Sequence, residues 1–311
     1  MKAFQVIHPG VYTTLQDLGR PGNMKFVIPA SGVADRFSAL VANLLVGNPP
    51  DAAVLETVLF RLELLALEDL AVAVTGGDLS PTVNENPLPM WQAVSVQKGD
   101  RISFRGRKSG FRSFLSARGG FSGPQYLGSR SVFSRGLMGN PLKSEEILEI
   151  GNSADLPSFH TPSPLNLLPD SSPLPTVRVI LGPQQDRFSE QGLATFLSSV
   201  YTVSAQSDRM GYRLEGPRIE HVCGADIISE PIARGAVQIP GDGLPIVMLW
   251  YAQVSGGYTK IANVISADLD RLAQMMPGEK VRFQAVTLEE AHQAWREQER
   301  RMEEVKRAIG G

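Results

Sequence analysis

Apolar positions along the chain come in short runs, and most alternate with polar ones at the two-residue period of a half-buried strand. Residues 69–77 ("DLAVAVTGG"), 91–104 ("WQAVSVQKGDRISF"), 111–121 ("FRSFLSARGGF"), 176–183 ("TVRVILGP"), 235–240 ("GAVQIP") and 245–254 ("PIVMLWYAQV") read this way. The 30 glycines and 22 prolines punctuate them, as turn-rich β structure requires. Four segments change to a helical period. Residues 35–47 place Phe37, Leu40, Val41, Leu44 and Leu45 on one face, with Gly47 as a stop. Residues 186–200 are a weaker case. Residues 266–278 begin at a Ser cap and end at Pro-Gly. Residues 287–309 open on a T-x-x-E capping box, Thr287 and Glu290. The apolar stripe of this last helix is thin (Ala291, Trp295, Met302, Val305, Ile309), which predicts a solvated surface helix, with partner docking as the alternative.

The fold class expected is therefore mainly β with some α. A Pro/Ser-rich stretch, 151–176, disfavours helix and sheet and divides the chain. It predicts a β-rich half at 1–150, a linker or crossover at 151–176, and a second β-rich half with a terminal helix at 177–311. "KGDRISF" (98–104) and "PGEKVRF" (277–283) share a pattern, as do "SARGGF" (116–121) and "QVSGGY" (253–258). The two pairs occur in opposite order, so a simple tandem repeat fails. Two related barrel-like domains remain open.

Composition narrows the function classes. Of 311 residues, 42% are hydrophobic and 20% charged, ordinary for a globular protein. A net charge of −2 gives no electrostatic reason to expect nucleic acid or an anionic membrane as partner. One cysteine, Cys223, permits no intrachain disulfide. No leader pattern and no membrane-length apolar run is visible, so the expected location is the cytoplasm.

Familiar chemistry is absent. There is no phosphate-cradling G-x-x-x-x-G-K-[ST] loop, no strand–G-x-G-x-x-G–helix unit, no metal spacing among the four histidines, no G-x-S-x-G elbow and no Met-Lys-Met biotin attachment sequence. What remains are polar residues set in apolar or Gly-rich runs. "TTLQDLGRPG" (13–22) carries Asp17 and Arg20, and "PASGVAD" (29–35) carries Ser31 and Asp35 at a helix start. "SAQSDRMGYRL" (204–214) places Asp208, Arg209 and Arg213 among Met210, Tyr212 and Leu214, which alternate as buried groups would. "ISEPIARGAVQIPGDGLP" (228–245) carries Glu230 and Gln238, and "AQVSGGYTKIA" (252–262) carries Gln253, Tyr258 and Lys260. Each also has a structural reading: ion pairs for Asp17–Arg20 and Asp208–Arg209, a helix cap for Asp35, a strand end for Glu230, an edge-strand residue for Gln238.

Taken in order, "PGVYTTLQDLGRPG", "IPASGVADRFSALVANLLVGNPPDAAVLE", "LSARGGF", "YLGSRS", "QSDRMGYRLEGP", "ISEPIARGAVQIPGDGLPIVM" and "SGGYTKIANVISADLDRLAQMMPGEKVRF" resemble the biotin-dependent carboxyltransferase family over about residues 9–290. That family includes allophanate hydrolase subunit 2, the carboxyltransferase region of urea carboxylase, KipA-type regulators and the C-type subunit of bacterial 5-oxoprolinase. The resemblance implies two cyclophilin-like β-barrel-type domains. It also implies a cyclophilin-like partner, the B-type subunit, of the KipI or allophanate hydrolase subunit 1 type. In 5-oxoprolinase a LamB-type protein, the A-type subunit, joins them. The activity implied is ATP-dependent opening of the 5-oxoproline lactam to glutamate, carboxyl transfer to a urea or amide substrate, or a non-enzymatic KipA-like antagonism of a kinase inhibitor. ATP would reach the chain through the complex and biotin on a separate carrier. Asp17, Asp208, Arg209 and Arg213 are the expected catalytic groups, and Ser31, Asp35, Gln238, Gln253, Tyr258 and Lys260 the expected substrate-binding ones, all sharing one cleft. Arginine forks suit planar anions, and a carboxylate can move a proton on an amide nitrogen. The chain departs from the family's pattern at Asn140, where an Arg is usual, at Glu145-Glu146, usually Gly-Asp, at Tyr251, usually Asp, and at Val254-Ser255, usually threonines. These departures favour another amide substrate or a regulatory member.

Overall fold

The structure, a computed structural model, describes residues 1–152 and 174–310. Most of the expected linker at 151–176 lies outside the described residues. The chain folds as two compact units, and neither is one uninterrupted stretch. Residues 1–20, 31–152 and 300–310 form the first, and 21–30 and 174–299 form the second.

The first unit is built from β1 (Lys2–Pro9), β2 (Tyr12–Gln16), helix α1 (Arg36–Leu45), β3 (Val54–Val58), β4 (Leu62–Ala66), β5 (Leu70–Gly76), β6 (Pro81–Val83), β7 (Asn86–Pro87), β8 (Ala93–Val96), β9 (Arg101–Phe104), β10 (Arg112–Ala117) and β11 (Ile147–Glu149). They make two sheets, ordered β11-β1-β4-β9-β6-β7 and β2-β3-β10-β5-β8. Alternation decides the faces. Phe4, Val6, Leu62, Leu64, Ile102 and Phe104 from one sheet meet Leu55, Val72, Val74, Leu115 and Ala117 from the other in a single core. The outer face of the second sheet is polar where β2, β3 and β10 adjoin: Thr14, Gln16, Glu56 and Arg112 are all buried there. Helix α1 lays Val41 and Leu45 against Ala73, Trp91 and Ala93, and Val305 and Ile309 join this cluster. The end of the C-terminal helix is therefore packed, contrary to the reading of a solvated surface helix.

The second unit comprises β12 (Thr176–Leu181), α2 (Glu190–Ser198), β13 (Tyr201–Val203), β14 (Gly211–Glu215), β15 (Asp226–Pro231), β16 (Ala236–Ile239), β17 (Ile246–Met248), β18 (Ser255–Val264), α3 (Leu269–Ala273), β19 (Lys280–Ala285) and the start of α4 (Leu288–Gly310). The pairing runs β12-β19-β13-β14-β17-β16-β18 and returns from β18 to β12, closing a seven-stranded barrel, with β15 attached to β18 outside the ring. Val177, Val203, Leu214, Val237, Val247, Ile261 and Phe283 are among its buried side chains. Closure removes sheet edges. It also lets one barrel wall carry polar groups without exposing backbone.

The expected α4 cap is present: Thr287 N–H donates to Glu290 Oε2 at 2.7 Å, and Glu290 N–H to Thr287 Oγ1 at 3.2 Å. The helix expected at 266–278 is shorter, a 3-10 turn at Ser266–Asp268 followed by α3. Ser266 does not cap it. Instead Asp268 accepts from the Arg178 backbone N–H (2.7 Å) and from its guanidinium Nη2 (2.6 Å) and Nε (3.0 Å), fixing that end from β12. The strand expected at 245–254 stops at Met248 and turns, with Leu249 N–H bonded to Met210 O and Tyr251 N–H to Arg209 O. Of the two sequence echoes, one is structural. Gly99 N–H bonds Ala66 O at the end of β4, and Gly278 N–H bonds Val203 O at the end of β13; in each, the next residue is an acid that closes the same turn before β9 or β19. The Gly-Gly echo is not: Gly119-Gly120 form a positive-φ turn after β10, whereas Gly256-Gly257 lie inside β18.

Candidate functional site

In the second unit, the adjoining strands β16, β18 and β15 gather the polar residues. Gln238 on β16 pairs in register with Lys260 on β18, and Glu230 on β15 pairs with Gly256 on β18. Both flanking strands carry an irregularity here, between Val237 and Gln238 and between Asp226 and Glu230. Such bulges re-aim side chains and are frequent beside functional sites. Lys260 is buried and its Nζ lies 2.6 Å from Glu230 Oε1, whose side chain stays partly exposed. Gln184, in the turn after β12, donates Nε2–H to the same oxygen at 2.8 Å and accepts the Lys260 backbone N–H at 3.1 Å. The Lys260 ammonium, then the Gln184 amide, hold the Glu230 carboxyl below its ordinary range.

Gln238 is 1% exposed, yet its Nε2 meets no hydrogen-bond acceptor among the described residues. A buried amide donor left without a partner is costly, so its orientation needs a reason. A neighbouring glycine lets the β18 backbone come close to it. A Cβ at Gly256 would stand 3.0 Å from Gln238 Nε2 and 3.6 Å from Gln253 Nε2. The atom nearest that position is Ile232 Cδ1, at 2.6 Å, so glycine lets Ile232 and two amide groups close in on the β18 backbone, beside an ammonium–carboxylate pair. Donors of this kind suit a carbonyl oxygen on which negative charge develops.

Arg209 is 7% exposed, and its guanidinium lies over the Tyr251 ring at 4.5 Å from the centroid. Tyr251 belongs to the turn that also carries Gln253. Asp208 and Arg213 do other things. Asp208 is exposed, and its Oδ1 accepts the N–H of Met210 (2.7 Å) and Gly211 (3.3 Å), shaping the turn into β14. Tyr212 and Leu214 point inward as alternation demands, which leaves Arg213 on the exposed face. Tyr258 is 41% exposed at the open end of β18, opposite Asp226. The structure therefore brings Gln238, Gln253 and Lys260 together, sets Arg209 against the Gln253 turn, and does not add Asp208, Arg213 or Tyr258 to the group.

Asp17, Ser31 and Asp35 belong to the first unit. Asp17 accepts from Gly19 N–H (2.8 Å), Ser129 Oγ (2.6 Å) and Ser131 Oγ (2.6 Å) at Oδ1, and from Arg130 N–H (2.6 Å) at Oδ2. Arg20, almost wholly buried, donates to Tyr126 O (3.2 Å) and Ser131 O. The two residues do not form the expected ion pair; each fastens the 126–131 loop. Asp35 caps α1, accepting from Ser38 N–H (2.9 Å) and Ser38 Oγ (2.6 Å). Ser31 is 1% exposed with φ +57°, a strained position for a serine. Gly32 follows at φ +97°, and a Cβ there would fall 2.9 Å from Leu18 C and O.

Sequence reasoning passed over two features. Gln184 has no spacing signal at all; only the approach of β12 to β18 places it. Glu56 and Arg112 form a buried pair, Nε to Oε1 3.3 Å, and Glu56 Oε2 also accepts the Ala34 N–H at 2.9 Å beside the Ser31 turn. A charge of each sign inside the strand sequences "VLETV" and "RSFLSA" was the available signal.

Comparison with known proteins places this architecture. A family model described as carboxyltransferase domain, subdomain A and B, matches residues 26–285. The chain is 33% identical over 305 residues to the C-type subunit of 5-oxoprolinase from Escherichia coli, covering 97% of each chain. It is 31% identical over 300 residues to the same-named protein of Haemophilus influenzae, covering 95% of each. The urea carboxylase of Kluyveromyces lactis superposes with a TM-score of 0.92 at 30% identity over 98% of this chain, but the match spans only 29% of that much longer protein. With the family model spanning most of its length and full-length relatives above 30% identity, this chain belongs to the carboxyltransferase subdomain A and B family.

Proposed function

We propose that this chain is the C-type subunit of a 5-oxoprolinase-type complex, which opens the 5-oxoproline lactam to glutamate at the expense of ATP. The 33% identity to the E. coli protein over 305 residues supports this reading. The observation that carries the chemistry is the buried Gln238 amide donor, which meets no acceptor among the described residues and lies with the Gln253 amide against Gly256. Both amides would hydrogen-bond the lactam carbonyl, and their grip would tighten as its oxygen gains negative charge. Lys260, held by Glu230, would add a positive charge at the same wall. ATP would be supplied through the cyclophilin-like B-type partner and the LamB-like A-type partner rather than by a nucleotide loop in this chain.

Carboxyl transfer from a carboxybiotin carrier to urea is the second reading, favoured by the superposition on urea carboxylase. A KipA-like antagonist would bind its partner and release no product. The test is to co-express the chain with A-type and B-type subunits and to assay ATP-dependent glutamate release from 5-oxoproline. Glutamate release that requires all the components supports the reading. A stable complex that turns over urea with a carboxybiotin carrier, or forms without any turnover, rejects it.

A further inference from the structure

The turn after β12 is formed by main-chain bonds, which leaves the Gln184 side chain for another task. Gly182 N–H donates to Ile261 O (2.7 Å), Gln185 N–H to Gly182 O (3.2 Å) and Arg187 N–H to Gln184 O (3.0 Å). Gly182 is buried, and a Cβ there would collide with the Lys260 carbonyl, so glycine lets this turn reach β18. The Gln184 amide then fits only one way round. Its oxygen faces the Lys260 backbone N–H, a donor (3.1 Å), and that turns Nε2 onto Glu230 Oε1 (2.8 Å). The Lys260 ammonium meets the same carboxylate oxygen at 2.6 Å. Glu230 needs this second hold. It lies on β15, outside the barrel ring, beside a register irregularity, and its side chain is 39% exposed. A long carboxylate side chain with one partner there can swing into water; two donors on one oxygen fix its rotamer. An ammonium carries several N–H donors, and beyond Glu230 the Lys260 Nζ meets no acceptor among the described residues. The direction of Glu230 therefore sets where the remaining N–H groups of Lys260 point.

We infer that Gln184 is a positioning residue for the reaction: it fixes Glu230, and Glu230 aims the remaining N–H groups of Lys260 at the substrate. The inference rests on the 5-oxoprolinase-type reading, in which Lys260 supplies positive charge on the same wall as Gln238. Gln184 itself touches no reacting group, and its contribution is orientation. A donor displaced by about 1 Å loses much of its hold on charge that develops in the transition state, so a support of this kind acts on turnover more than on substrate binding.

Two variants test it. Gln184→Glu keeps the shape and the oxygen that accepts the Lys260 N–H, and replaces only the donor. Gln184→Met removes both contacts at similar volume. Both should fold, because main-chain bonds hold the turn. In the isolated full-length chain, the Glu230 carboxyl is followed by carbon NMR, its resonance assigned with Glu230→Gln. Its titration midpoint should rise in both variants, because a donor to the ionised form is lost. In the assembled complex, both should lower kcat for glutamate release by at least about tenfold, with KM within about threefold of the parent. In a Glu230→Ala background, Gln184→Met should cost less than about twofold more, because its route to Lys260 is already cut. An unchanged Glu230 midpoint in Gln184→Met, kcat at the parent value in both variants, or an equal loss from Gln184→Met in the Glu230→Ala background would overturn the proposal. An assembled parent complex without glutamate release rejects the 5-oxoprolinase reading instead, and the Glu230 midpoints then decide on their own whether Gln184 fixes this carboxylate.

Discussion

At the scale of single residues, the side chains sort by what their polar atoms already hold. Asp17 and Asp208 are spent on backbone and hydroxyl donors, and Asp35 on its helix cap, so their carboxylates shape loops and helix ends. Gln238 and Lys260 are buried, and Gln238 Nε2 meets no acceptor among the described residues. Glu230 links this sorting to pH. Its folded pKa is depressed, chiefly by Lys260 and then by Gln184, so it stabilises the fold fully above the ordinary carboxyl value of 4.5 and loses that contribution as pH falls through the depressed value. Glu230→Gln should therefore lower the thermal midpoint at neutral pH, with the gap to the parent protein closing below about pH 4. Midpoints recorded against pH decide this; a gap that persists unchanged in acid would deny the linkage. Gly32→Ala should be costly, by several kcal/mol at the order of magnitude expected when a Cβ enters the left-handed region against backbone atoms. Denaturant titration reads that loss directly. The sequence showed that Asp208, Arg209 and Arg213 were unusual neighbours, but not that one turn would bury Arg209 over Tyr251 while strand alternation put Arg213 outside.

At the scale of elements, what local pattern governs was legible, and what distant contact governs was not. The α4 capping box and the α1 stripe depend on residues three or four apart, and both stand as read. The helix at 266–278 was over-read because Asp268 is claimed by Arg178, ninety residues away. The strand at 245–254 was over-read because Leu249 and Tyr251 bond back to the turn before β14. Asp35 gives a test that separates cap from substrate contact. Asp35→Ala should cost about 1 kcal/mol or more of stability, and Asp35→Ser, which restores a capping oxygen, should recover most of it. If Asp35→Ser regains stability but loses turnover in the assembled complex, Asp35 contacts substrate as well as capping α1.

At the scale of the molecule, a closed barrel and a two-sheet unit are threaded by one chain whose segments 21–30 and 300–310 each pack with the other part of the sequence. No described helix is long and apolar enough to cross a membrane. In a 5-oxoprolinase-type complex the chain should co-elute stoichiometrically with its cyclophilin-like B-type partner in size-exclusion chromatography at micromolar concentration; two independent peaks would remove the partner from the account. The measurement that bears most directly on the central claim uses that assembled complex. ATP-dependent glutamate release from 5-oxoproline is compared between the parent chain and Lys260→Met, with assembly confirmed for both. The account predicts release by the parent complex and a loss of at least about a hundredfold in the variant, the scale on which removing one charge-stabilising donor acts. Release at the parent rate by Lys260→Met, or no release by a fully assembled parent complex, would contradict it.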